Sequence, residues 1–234
     1  MIRKAFFFLA AGFFVSTVGS VFAQTTTAPP TALSKQIDKI DLTIAGVGIF
    51  NNKVTGPVVN NGTDPNNAGE SITQYGSNTL GALVSLHYPA KPYFGLELNY
   101  GYARYTENFE GPGVTGFLPE NTTDFQVQTK VNEYSFGYLI TPPHQIFGLQ
   151  PFVSAGAGTQ AFKPTAFGGQ ELPEKARATY YYSVGVQKDY SEHFGFRAGF
   201  RELFFLDPDF GQNYLTILKH ATTYEPMVGF YLRY

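Results

Sequence analysis

Phe194-Gly195-Phe196-Arg197-Ala198-Gly199-Phe200-Arg201 is the stretch whose alternation decides the fold. Every second residue is Phe or Ala, and the residues between are Gly, Arg, Gly and Arg. A period of two is the period of a β-strand, in which successive side chains leave on opposite faces. The unusual feature is what each face carries. A strand of a soluble barrel points its bulky apolar side chains inward and its polar ones outward. Packing these phenylalanines into the lumen of a small barrel would overfill it, whereas glycines fit a crowded interior. The aromatic face therefore belongs outside.

The same pattern recurs along the chain. Strands are expected at about 39–50, 77–88, 93–105, 124–140, 151–162, 176–188, 194–206 and 223–234, with apolar runs such as Phe94/Leu96/Leu98/Tyr100/Tyr102 and Tyr180/Tyr182/Val184/Val186 on alternate positions. Ten glycines, among them Gly95, Gly101, Gly137, Gly156, Gly185, Gly199 and Gly229, fall on the face opposite the apolar set. The first strand departs from this rule, because Gly46 and Gly48 share parity with Leu42 and Ile44; a bulge near Ala45 would restore it by turning Val47 and Ile49 outward. The breaks at 51–76, 106–123, 163–175 and 207–222 are long and polar, and those at 89–92, 141–150 and 189–193 are shorter. Long loops alternating with short turns fit an all-β fold: an eight-stranded antiparallel transmembrane β-barrel, an up-and-down meander with both ends on the short-turn side. Tyr88, Tyr93, Tyr138, Tyr190 and Tyr234 at that end, and Tyr100, Tyr102, Tyr105, Tyr180 and Tyr224 at the other, read as interfacial girdles.

Composition excludes the competing classes. Aromatics make up 17 % of the 234 residues and charged residues 15 %, which is not the makeup of a disordered chain. Beyond the first two dozen residues there is no apolar run long enough for a membrane helix. Cysteine is absent, so disulfides, thiolate metal sites and a lipidated cysteine are all excluded. Residues 1–23 read as a secretory signal peptide: Arg3 and Lys4, an apolar stretch from Ala5 to about Val18, and Val21-Phe22-Ala23 as cleavage site. Residues 24–38 are polar and Pro-containing, a flexible leader before the barrel at 39–234. Removing the two basic residues takes the formal charge from −2 to −4, which gives no hint of a nucleic-acid partner.

The ending Val228-Gly229-Phe230-Tyr231-Leu232-Arg233-Tyr234 resembles the C-terminal assembly signal of bacterial outer-membrane proteins. Pro151-Phe152-Val153-Ser154-Ala155-Gly156-Ala157-Gly158 and 196–201 resemble strands of the OmpA-like and OmpX-like small barrels. The resemblance implies residence in the bacterial cell outer membrane. It also implies recognition by the barrel-assembly machinery through Val228, Phe230, Leu232 and Tyr234, and contact with outer-membrane lipids and lipopolysaccharide.

Strand parity places Asp41, Glu97, Glu133, Arg197, Arg201 and Arg233 in the lumen, and three acids with three bases in a narrow space are expected to pair as a structural plug. Of the histidines, His87 shares the luminal face with Ser85 but at the wrong depth for an outer-leaflet substrate, and His144 and His193 lie in short turns. His220 is on the outer side without a serine and an acid on its strand face. Gly46-Val47-Gly48 and Gly156-Ala157-Gly158 open no helix, so neither is a phosphate loop; the Asn- and Asp-rich first loop lacks the spacing of an ordered calcium site. No cofactor or metal is expected. The sequence thus reads as a monomeric, non-enzymatic anchor displaying four extracellular loops. A small passive, porin-like channel is the alternative, and a lipid-modifying enzyme a more distant one.

Signal removal has a direct check: mass spectrometry of the membrane-inserted protein should give a chain beginning at Gln24, and a chain beginning at Met1 would contradict it.

Overall fold

A computed structural model describes residues 40–59, 70–111 and 124–233. Ten strands follow one another: β1 Asp41–Asn51, β2 Val54–Pro57, β3 Ser71–Gly76, β4 Thr79–Lys91, β5 Phe94–Glu110, β6 Asp124–Ile140, β7 Gln150–Pro164, β8 Lys175–Asp189, β9 Phe194–Leu206 and β10 His220–Arg233. All pairings are antiparallel, and a β5–β6 ladder closes the sheet. β1 with β2 and β3 with β4 are each one wall strand with a short interruption. The pairing of Ile49 with Thr79 continues beyond it as Val54 with Gln74. The wall therefore has eight strands in meander order. Among the described residues closure leaves one strand, the short β2, with a single ladder, and a closed ring is what a hydrocarbon environment requires of a sheet.

Following ladder partners around the wall from Asp41 leads through His87, Glu97, Gly137, Gly156, Tyr181, Leu203 and Thr223 to Asn51, ten residues further along β1. Strand number and stagger together set the width, and eight strands enclose just enough space for side chains.

The outward face carries Leu86, Phe94, Leu98, Phe136, Tyr138, Val184, Phe196, Phe200, Phe230 and Leu232, all exposed. These are the residues that the alternation assigns outward. Neighbours on adjacent strands touch: Phe94 and Tyr138 lie 5.2 Å apart between ring centroids, Tyr100 and Tyr134 5.3 Å, and Phe194 and Phe230 6.0 Å. Inward-facing glycines make room for luminal aromatics. A Cβ on Gly195 would collide with the Tyr231 ring, one on Gly137 with the Tyr181 hydroxyl, and one on Gly185 with the Phe152 ring.

The structure corrects three expectations. No bulge interrupts β1: its register with β10 is the same at Asp41–Arg233 as at Asn51–Thr223. Val47 and Ile49 are buried in the lumen, and Gly46 faces outward with open space around it. Tyr105, expected in a girdle, is buried in the lumen as well. Finally, the expected loop at 51–76 contains β2 and β3, and β5 runs on to Glu110.

That third correction has a common cause. Above Tyr102 and Asn132, the outward positions of the β5–β6 hairpin become polar: Arg104, Thr106, Asn108 and Glu110 on one strand, Lys130, Gln128 and Gln126 on the other. The inward positions become largely apolar, with Phe109, Val127 and Val131 buried among Ile72, Phe162, Phe205 and Phe210. The barrel changes polarity along its height. Its lower part is apolar outside and polar inside, and its upper part follows the inside-out logic of a water-soluble protein.

The assignment of β1 is testable with two substitutions. Val47→Asp should destabilise the barrel by about 2–4 kcal/mol through an unpaired charge among apolar neighbours, whereas Gly46→Leu should cost less than about 1 kcal/mol. Unfolding titrations in lipid vesicles would show the reverse order if a bulge turned Val47 outward.

Candidate functional site

The candidate site is the polar lumen of the lower barrel. Its first cluster is built around His87 on β4. Asp41 Oδ1 lies 2.7 Å from Nδ1 of the ring and Glu97 Oε2 lies 3.0 Å from Nε2, so two carboxylates bracket one imidazole. Register alone brings them together, because Asp41 and Glu97 are the two ladder partners of His87. The other Glu97 oxygen accepts from the Tyr181 hydroxyl at 2.8 Å, from Asn99 at 2.8 Å and from Ser154 at 3.2 Å, and Ser154 shares a 2.7 Å bond with Ser183. Arg197 closes this cluster. Its Nη1 lies 2.6 Å from Nε2 of His87 and donates to Thr43 Oγ1 at 3.2 Å, while Nη2 donates to Gln187 at 2.6 Å. The guanidinium also sits 5.0 Å from the Phe152 ring centroid.

The second cluster is centred on Arg201 of β9. Its two terminal nitrogens donate to Glu133 Oε1 at 2.7 Å and Glu225 Oε2 at 2.8 Å, and the Ser135 hydroxyl donates to the same Glu133 oxygen at 2.7 Å. The guanidinium lies 4.9 Å from the Tyr181 ring, which links the clusters. All of these groups are buried. Charges this far from water persist where pairing and hydrogen bonds compensate their desolvation.

Five of the six luminal charges expected from parity, namely Asp41, Glu97, Glu133, Arg197 and Arg201, are buried in these clusters. Arg233 is not; it is partly exposed at the short-turn rim, 3.6 Å from Asp189. Two members were missed. Glu225 shares the inward parity of β10 with Arg233, so counting every second residue would have found it. Parity places His87 in the lumen, and its two ladder partners, Asp41 and Glu97, decide its role there. Four carboxylates therefore face two arginines and one histidine, and the expected balance of three against three gives way to an acidic excess.

Among the described residues the lumen beside and above the clusters holds little free space. A cavity of about 30 Å³ lies between Arg201, Glu133, Gln160 and the apolar Val47, Ile49 and Val131, and one of about 10 Å³ beside His87 and Arg197. The first has room for a water molecule, not for a solute. The 207–219 loop folds inward over the upper end, burying Phe210, Leu215 and Ile217. Asp209 fastens it through Lys175 at 3.0 Å and Arg177 at 2.9 Å, and the buried Gln74 amide donates to the Pro208 carbonyl at 2.7 Å. Asp207 at its root has one carboxylate oxygen without a partner, and burial raises its pKa from 3.8 to about 7 despite nearby Arg177.

Of the C-terminal positions, Val228, Phe230 and Leu232 point outward and are exposed, while Tyr234 lies outside the described residues. His144 and His193 are exposed in the short turns and His220 is exposed at the start of β10. Among the described residues no group of three or more His, Cys, Asp or Glu is arranged to hold a metal ion.

No protein-family model matches the sequence, and no curated protein matches it in sequence. Solved structures do match in fold. The outer membrane protein OprG from Pseudomonas aeruginosa superimposes with a TM-score of 0.56 at 9 % identity, over 83 % of this chain and 95 % of that one. Neisserial surface protein A gives 0.50 at 8 % identity, over 84 % and 97 %. At such identities the likeness is one of fold: this chain has the architecture of the small eight-stranded outer-membrane barrels.

Two predictions follow the two ends of the lumen. Arg201→Met removes the shared partner of Glu133 and Glu225 and should destabilise the barrel by about 3–5 kcal/mol, read from urea unfolding in vesicles. Asp207 holds its proton more tightly folded than unfolded, so its contribution is complete below pH 3.8 and is lost as pH rises to about 7. Asp207→Asn should flatten that fall in stability, and an unchanged pH profile would contradict it.

Proposed function

We propose that this chain is an integral protein of the bacterial outer membrane that serves as a closed anchor, holding its long loops on the outer side. The observation that carries the reading is the pairing of an apolar outer belt with a lumen filled by paired charges and capped by the 207–219 loop. A belt this size is unfavourable in water and suits hydrocarbon, and an interior with room for single waters suits an anchor better than a pore. The fold shared with outer-membrane barrels supports the location. In this reading the protein is a monomer contacting outer-membrane lipids and lipopolysaccharide, is exported by a cleaved signal peptide, and is handed to the barrel-assembly machinery by Val228, Phe230, Leu232 and Tyr234. In this reading it is not an enzyme, which the bracketing of both His87 ring nitrogens by buried carboxylates supports.

The acidic excess of the lumen favours one second reading, a passive channel for small cations. Conductance of the refolded, signal-free protein in a planar bilayer separates the two. The anchor predicts rare, small openings at neutral pH. Large, steady, cation-selective currents would replace it with the channel.

A further inference from the structure

Between β6 and β7 the chain makes the short turn 141–149, whose tip carries two exposed apolar residues. Ile146 and Leu149 exchange backbone hydrogen bonds of 2.8 and 3.0 Å, which pins a two-residue hairpin turn with Phe147 and Gly148 at its centre. Both central residues have positive φ, 52° and 74°. That geometry is the one Asn-Gly or Gly-Gly adopts readily, and an aromatic side chain at the first position is disfavoured. Phe147 gains nothing inside the protein in return. Its side chain is 99 % exposed, and the neighbouring Ile146 is 55 % exposed. A strained position that presents a bare phenyl ring to the surroundings is explained by a contact outside the chain.

The surroundings of the turn indicate which contact. Ile140, Tyr138, Phe94 and Tyr93 are exposed on the wall beside it, and the Thr141 amide donates to the Tyr93 carbonyl, so the turn continues the outer apolar belt. At the same end of the barrel Lys91 and Lys188 are exposed cations beside the exposed acids Asp189 and Glu192, Arg233 lies 3.6 Å from Asp189, and Lys188 sits 6.0 Å from the Tyr190 ring centroid. Aromatic rings with cations at the edge of an apolar belt are the arrangement that suits a phospholipid headgroup layer.

We propose that the 141–149 turn is a membrane-binding element, with Phe147 and Ile146 inserted among the phospholipids of the periplasmic leaflet. The inference rests on the membrane reading above. The turn thus fixes the depth and tilt of the barrel at its short-turn end, independently of the loops at the other.

The chain contains no tryptophan, so Phe147→Trp introduces a single fluorescent reporter that keeps an aromatic ring at the tip. The variant is refolded into phosphatidylcholine–phosphatidylglycerol vesicles, with folding checked by heat-modifiable mobility, and compared with Leu98→Trp in the middle of the belt. Shallowly brominated phospholipid should quench the indole at position 147 at least twofold, while acrylamide quenches it weakly. If the mid-belt indole is quenched by bromolipid and the turn indole is not, but is open to acrylamide, the turn projects into water and the proposal fails while the membrane reading stands. If the turn indole is shielded from both quenchers, a protein contact covers it and the lipid assignment is wrong. If neither reporter responds to bromolipid, the membrane reading itself falls, and the proposal with it.

Discussion

The width of an eight-strand wall governs everything else in this structure. A ring staggered by ten residues leaves an interior that side chains fill. Every large group inside must be matched by a small one, which is why Tyr181, Phe152 and Tyr231 project into the lumen over Gly137, Gly185 and Gly195. The same limit expels the phenylalanines and most tyrosines to the outer face. Confinement also brings Asp41, His87, Glu97 and Arg197 into contact from four strands, and Tyr181, Ser154, Thr43 and Gln187 complete their hydrogen bonds.

Along the barrel axis the polarity of the two faces exchanges, while the period of two is kept. In the lower part the outward residues are apolar and the inward ones are polar and paired. In the upper part of the β5–β6 hairpin the assignments exchange, with Lys130 and Arg104 outside while Phe109 and Val127 are inside. The apolar upper lumen is completed by the 207–219 loop, whose Phe210, Leu215 and Ile217 would otherwise sit in water. The loop is part of the core as much as a connection, and the Asp209 ion pairs hold its polar side at the rim.

This exchange explains which parts of the fold were legible in the sequence. Where one face is aromatic and the other rich in glycine, as at Phe194–Arg201, parity alone assigned inside and outside. Where Thr106, Asn108 and Glu110 replaced the aromatics, the alternation persisted with its polarity inverted, and the segment looked like a loop. The two glycines of β1 misled for a related reason. Gly46 and Gly48 lie opposite an apolar inward set, Val47 and Ile49, that serves the upper core rather than lipid. Parity also reached the charged lumen, but it could not say which residues meet. Partners are fixed by the stagger between strands, and Glu225 and Arg233 differ in depth while sharing a face. The cap, which uses irregular backbone with positive φ at Phe210, Gly211 and Leu218, left no periodic signal.

Because the protein has no cysteine, its two faces can be distinguished residue by residue. Single cysteines placed in turn from Phe194 to Arg201, spin-labelled and reconstituted in bilayers, report how freely dissolved oxygen, which concentrates in hydrocarbon, reaches each side chain. The account predicts a period of two, with high collision rates at 194, 196, 198 and 200 and low rates at 195, 197, 199 and 201. High rates on the glycine and arginine positions, or no alternation at all, would contradict it.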